Sequence, residues 1–186
     1  MSTWRHILVL LATAIGIGFC LAMLTNVLGV TSPWLGLQAM FFLLALAKVA
    51  EPLFLFRMPP SLRQVRPWEQ NGKPYKLVGV PRFGQFLRNS PFRHLNSSVY
   101  LTRNLVSKDL QRISRQAEAA EASHFWVGLL FTPYIGYIAF SGRVGAAFLL
   151  LLVQIFFNAY PILHLRITRA RLVRPLRKLV AQGELI

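Results

Sequence analysis

Four apolar runs, separated by two blocks of positive charge, constrain this chain more than any other feature. The runs lie at about 6–30, 34–56, 125–140 and 144–165. Positions 7–24 contain no charged residue, and neither do positions 144–165. Runs of roughly 18–22 apolar residues are long enough to cross a hydrocarbon core of about 30 Å as helices. Inside lipid, only a helix or a closed barrel satisfies its own backbone polar groups. The expected fold class is an all-α integral membrane protein, with about four transmembrane helices and a basic cytoplasmic loop containing an amphipathic helix. The first run extends beyond the roughly 7–15 residues of a secretory signal core and is read as a retained helix.

Charge supports the same reading. Only 15% of the residues are charged, against about a quarter in a soluble domain. Positions 57–120 hold 12 Lys/Arg and 3 Asp/Glu, a net of +9, and positions 166–186 hold 6 and 1, a net of +5. The loops expected on the opposite side, at 30–33 and 141–143, carry none and one. A formal net charge of +15 would suggest nucleic acid in a soluble chain. Beside membrane spans, the positive-inside bias accounts for it more simply. The expected location is the cell membrane, multi-pass, with both termini cytoplasmic and no nucleic-acid partner. Membrane lipids are expected partners, each surface Lys/Arg contributing on the order of 1 kcal/mol with anionic headgroups.

The pattern divides the chain into four segments. Positions 1–60 form an N-terminal helix pair, turned at Thr31-Ser-Pro-Trp34, with Lys48 and Glu51 three apart and able to pair. Positions 61–124 form the basic loop. There Trp68, Tyr75, Phe83, Phe86, Phe92 and Tyr100 alternate with Arg and Lys, a mixture suited to the headgroup region. A polar helix from about Lys108 to Ser123 ends the loop, with Ser107 as N-cap and Asp109 in its first turn. Positions 125–165 form a transmembrane hairpin closed by Ser141-Gly-Arg143, too short a turn for anything but antiparallel neighbours. Its first arm, at 16 residues, reaches only about 24 Å. Positions 166–186 read as a basic cytoplasmic tail.

The hairpin sets His124 at the cytoplasmic mouth of one arm, and Asn158, Tyr160 and Arg166 at the mouth of the other. Glu121 precedes His124 by one helical turn. A carboxylate there would raise the proton affinity of the ring and orient it, which suits a general base. Arg and Asn nearby suit an anionic substrate or a developing oxyanion. Other templates fail. His94 has no carboxylate at acyltransferase-box spacing, no G-x-S-x-G elbow exists, and Cys20 stands alone. With six carboxylates and scattered histidines, no metal site is expected.

These motifs resemble a known family. Trp68-Glu-Gln-Asn-Gly-Lys-Pro-Tyr75 and Gly79-Val-Pro-Arg-Phe83 are similar to the segment before the membrane hairpin of the glycosyl-4,4'-diaponeurosporenoate acyltransferases. Glu121-Ala-Ser-His124 followed by Phe125-Trp126 resembles that family's Glu-x-x-His-Trp element, with one residue added before the Trp. Asn158-Ala-Tyr160-Pro161, then Arg166-x-x-Arg169-x-Arg171-Leu172, resembles its Asn-x-Tyr-Pro and Gln-Arg-Tyr-Asn-Arg-x-Arg-Leu patterns. The order agrees over roughly 65–184. Leu165, Ile167 and Thr168 depart from it, standing where the pattern has Gln, Tyr and Asn.

The resemblance implies a membrane acyltransferase that esterifies a fatty acyl group onto a hydroxyl of a lipid-soluble acceptor, such as a glycosylated carotenoid. It implies no resident cofactor, with an acyl-CoA or acyl-carrier thioester as the acyl donor. In this reading His124, Glu121 and Asn158 are catalytic, while Tyr160, Arg166, Arg169 and Arg171 bind substrate, the arginines meeting donor phosphates. The alternative is a non-enzymatic membrane protein that binds lipid or a protein partner through its basic face. A homo-oligomer is one way for so small a bundle to enclose a lipid site.

Overall fold

The computed structural model describes residues 3–51, 53, 57–91 and 107–181. Every regular element among them is helical: α1 (Thr3–Leu28), α2 (Pro33–Ala50), α3 (Pro60–Arg63), a 3₁₀ turn (Pro67–Asn71), α4 (Lys73–Leu77), α5 (Val80–Asn89), α6 (Ser107–Phe140), α7 (Val144–Gln154), a π-helical turn (Ile155–Ala159) and α8 (Tyr160–Ala181). The all-α membrane class holds. Three stretches are long and apolar enough to cross a bilayer: Thr3–Leu28, Pro33–Ala50 and Val144–Arg177. The expected 16-residue arm, 125–140, is the end of the 34-residue helix α6, continuous with the polar helix before it. The helix stays continuous although Pro133 lies within its apolar half.

The chain divides into two compact units, Met1–Phe56 with Ser123–Ala159, and Arg57–Ala122 with Tyr160–Ile186. Each is discontinuous in sequence and draws on more than one of the four segments. The expected tail is helical, because α8 runs to Ala181. Leu165, Thr168, Arg169 and Leu172 fall at helical spacing and are all buried, so this stretch is a packed helix and not a free extension.

In the first unit, α1 packs on α2 and α2 on α7. The core is Met40, Phe131, Ile138, Ala147 and Leu150. Gly36 lets the helices approach: a Cβ there would lie 2.7 Å from the Tyr134 ring and 2.9 Å from the Leu150 methyls. The Tyr134 hydroxyl donates to the Val30 carbonyl at 2.8 Å, tying down the turn after α1. That turn ends in Ser32, whose successor Pro33 opens α2. Gly142, at φ +81°, closes the turn between α6 and α7, a conformation that favours glycine. Ile15 is 72% exposed and α1 buries no residue at all. An apolar helix with no buried residue belongs in lipid. Lys48 and Glu51 form the expected ion pair at the end of α2.

In the second unit, the small residues Ala117 and Ala120 of α6 receive Leu165 of α8. Tyr75 and Val80 enclose Ile167. Gly84 of α5 meets the His164 ring so closely that a Cβ would lie 2.7 Å from it. Phe83 packs on Tyr160, with ring centroids 5.2 Å apart. Of the aromatic residues expected among the basic ones of this stretch, Trp68 and Phe86 are exposed beside Lys73, Lys76, Arg82 and Arg88, while Tyr75 and Phe83 are buried in the core. Phe92, His94 and Tyr100 lie outside the described residues, as does the side chain of Ser107.

Candidate functional site

The first unit holds a relay of polar groups inside its apolar helices. His124, Gly128 and Thr132 recur every four residues along α6, and Gln154 and Asn158 are four apart on the facing stretch of chain. Each set therefore lies on one helix face. The Gln154 Nε2 donates to the Gly128 carbonyl at 2.8 Å and to Thr132 Oγ1 at 3.0 Å. Asn158 Nδ2 donates to Gln154 Oε1 at 3.4 Å, and Asn158 Oδ1 faces His124 Nδ1 at 3.4 Å. The Phe157 carbonyl also bonds the ring.

The π turn puts Asn158 there. A single π turn adds one residue to the helix and rotates the residues beyond it, and such turns gather at functional sites. Asn158 is buried, at 2% exposure.

The relay has a direction. The Gly128 carbonyl can only accept, so Gln154 must present its amide nitrogen to it. Gln154 then turns its oxygen to Asn158, which presents its own nitrogen in return. The Asn158 oxygen is left for His124, and a ring nitrogen facing an oxygen must carry the proton. A neutral ring protonated on Nδ1 satisfies this contact, and in that tautomer the lone pair lies on Nε2.

The second unit holds an ionic cluster. Arg166 donates through Nε to Glu69 Oε1 at 2.6 Å, through Nη1 to Glu121 Oε1 at 2.8 Å and to the Leu62 carbonyl, and through Nη2 to the Gln64 carbonyl at 2.8 Å and Glu69 Oε2 at 3.3 Å. A guanidinium has five N–H donors, so none is left over. Arg169 bonds the other oxygen of Glu121 and, at 2.8 Å, the Arg63 carbonyl. Glu69 also accepts from the Tyr75 hydroxyl at 2.6 Å and from the Arg66 backbone N–H. Burial alone would raise the Glu69 carboxyl, but Arg166, Tyr75 and the Arg66 N–H outweigh it and hold the group below the ordinary carboxylate range. Burial and the neighbouring Glu69 push the Tyr75 hydroxyl well above its ordinary value.

Several expected roles change accordingly. Glu121 is not the orienting partner of His124: both its oxygens hold arginines, and Asn158 faces Nδ1 instead. Asn158 is engaged in holding the ring and Gln154, where the sequence suggests an oxyanion donor. Arg169 is buried, Arg166 is partly buried, and both are bound to carboxylates, which leaves Arg166 no N–H for a phosphate. The Tyr160 hydroxyl donates to the Val78 carbonyl at 3.0 Å. Arg171 is exposed, with no ion pair among the described residues. Glu69, Gln154 and Thr132 carry no role in the sequence reading. The four-residue spacings of Thr132 with Gly128 and of Gln154 with Asn158 were the available signal; nothing local marks Glu69 as the partner of an arginine 97 positions away.

The departing positions are all interior. Leu165 and Ile167 sit in apolar cores, and Thr168 bonds the His164 carbonyl at 3.0 Å. Those three differences exchange packing groups and do not remove exposed polar contacts.

The family described as glycosyl-4,4'-diaponeurosporenoate acyltransferase matches residues 59–178. No curated protein matches the chain, and no solved structure does.

Proposed function

This chain belongs to the glycosyl-4,4'-diaponeurosporenoate acyltransferase family, and on that premise we propose that it is a multi-pass acyltransferase of the cell membrane, working at the cytoplasmic face with His124 as general base. The single observation that carries the base assignment is the directed relay from Gly128 through Gln154 and Asn158 to His124. It suits the ring tautomer protonated on Nδ1, whose Nε2 can receive a proton.

In this reaction the hydroxyl oxygen of a lipid-soluble acceptor attacks the carbonyl carbon of an acyl thioester. As the C–O bond forms, the hydroxyl proton passes to His124 Nε2. The tetrahedral intermediate then collapses, the C–S bond breaks, and His124 returns the proton to the leaving thiolate. The base contributes about 10²–10⁴ in rate in systems of this kind. Asn158 orients the ring, and Glu121 acts at a distance by fixing Arg166 and Arg169. Arg171 remains as an exposed cation for an anionic donor. The basic surface supports a cytoplasmic location for this work through the positive-inside bias.

The test compares lipid and pigment mass spectra of cells lacking the protein, expressing it, and expressing His124→Ala at equal membrane level. A species heavier by one fatty-acyl mass, present only with the unmutated protein, is expected. Equal amounts of that species with His124→Ala would remove His124 from the chemistry. A phenotype that tracks charge reversal in 57–120 and ignores His124→Ala would favour the binding-module alternative.

A further inference from the structure

The second unit contains a cleft of about 500 Å³, open to solvent and lined by Arg63, Gln64, Val65, Ser114, Arg169, Val173 and Arg177. Its volume lies within the roughly 300–1,000 Å³ of ordinary small-molecule sites. Three arginines line it and no carboxylate does. Their states differ from that of Arg166. Arg63 faces Glu118 through Nε, while its terminal amino groups have no hydrogen-bond partner among the described residues. Its side chain remains 45% exposed. Arg177 is exposed and makes no ion pair among the described residues. Arg169 forms the floor, held by Glu121 and the Arg63 carbonyl. Ser114 adds a hydroxyl donor, and Val65 and Val173 add short apolar walls.

We propose that this cleft binds the phosphate ester of the acyl donor, with Arg63 and Arg177 as the phosphate contacts and Ser114 as a further donor. The proposal rests on the acyl-transfer reading for the word donor. Its physical basis is independent of that reading. A phosphate takes hydrogen bonds best from guanidinium forks fixed in place beforehand. Arg63 is such a fork: Glu118 pins its inner edge and leaves its outer edge open. Glu118 and Glu121 offset part of the positive charge, so the cleft can stay formed when empty and still favour an anion. The same phosphate chemistry is offered by coenzyme A, by the phosphopantetheine arm of a carrier, and by a phospholipid serving as acyl donor.

The experiment uses the full chain in nanodiscs of uncharged lipid and measures binding of coenzyme A, of phosphopantetheinylated carrier protein and, separately, of nanodisc-incorporated phosphatidylglycerol. The variants are Arg177→Glu and Ser114→Asp, with Arg82→Glu as an exposed control outside the cleft. Arg177→Glu and Ser114→Asp should each weaken at least one probe about tenfold or more, and Arg82→Glu less than twofold. The probe that responds identifies the source of the phosphate. No binding of any probe, or equal weakening by Arg177→Glu and Arg82→Glu, would overturn the proposal. His124→Ala should bind the same probe normally. If the unmutated protein binds the probe through Arg177 yet makes no acylated product, the cleft stands and the acyl-transfer reading falls. If product forms and Arg177→Glu binds normally, the reverse holds.

Discussion

Arg166 Nη1 lies 2.8 Å from Glu121 Oε1 across forty-five positions of sequence, and that contact joins α8 to α6 in the interior of the second unit. Glu121 is fully buried and its second oxygen holds Arg169. A chain with 21 basic and only 6 acidic residues thus places three of its carboxylates, Glu69, Glu118 and Glu121, against Arg63, Arg166 and Arg169.

Removing one partner from a buried ion pair costs about 3–5 kcal/mol, and loss of Glu121 would strip one carboxylate contact from each of Arg166 and Arg169 while Glu69 and Glu118 remain. Glu121→Ala should therefore destabilise the protein by about that amount. Thermal unfolding in detergent, read as the midpoint of tryptophan fluorescence, will show it. A midpoint unchanged from the unmutated protein would mean that the cluster is solvated.

Glu69 predicts an acid limit. Its folded-state value lies below the ordinary 4.5, so the unfolded chain binds that proton more readily than the folded one. The stability it contributes is whole above about pH 4.5 and is lost as the pH falls through the lower folded value. Unfolding midpoints measured from pH 6 down to about pH 3 should fall for the unmutated protein and fall less steeply for Glu69→Gln. Parallel curves would assign the acid sensitivity to another group.

Asn158→Leu should lower acyl transfer by about tenfold to a hundredfold, inside the range that a general base supplies. It should also release the tautomer. Nitrogen-15 NMR of the labelled ring should report a neutral His124 protonated at Nδ1 in the unmutated protein, and a mixture of tautomers in the variant. A purely structural Asn158 would lower activity without moving that signal.

Gly84→Ala should destabilise the second unit by about 1–3 kcal/mol, the ordinary penalty for overpacking. The new methyl would meet a ring already packed edge-on against Phe83, with centroids 6.3 Å apart. Gly79→Ala provides a contrast, because no atom lies within 4 Å of its Cβ position. Its strain would come from the positive φ of 74° instead. If Gly84→Ala unfolds at the same temperature as the unmutated protein, the His164 ring has room to move.

The helical membrane class, a turn near 31–34 (observed at 29–32), the turn at 141–143, and the basic character of the loop were legible in the sequence. Each comes from local properties: the length of an uncharged run, a glycine in a turn, the sign of a charge. The pairing of Lys48 with Glu51 was legible for the same reason, since three residues of helix bring them together. His124 and Asn158 could be placed at neighbouring depths because a three-residue turn leaves the hairpin one geometry.

Which polar groups remain free was decided only by the tertiary structure. Six arginines and lysines between 166 and 186 look equivalent in sequence. Folding saturates Arg166 with Glu69, Glu121 and two carbonyls and leaves Arg171 and Arg177 open. It likewise gives Glu121 to arginines on α8 and leaves His124 to Asn158. A hydrogen-bonding group has a fixed number of partners, and here those partners come from up to 106 positions away. No local pattern of residues encodes a contact over that distance; only the packing of the helices assigns it.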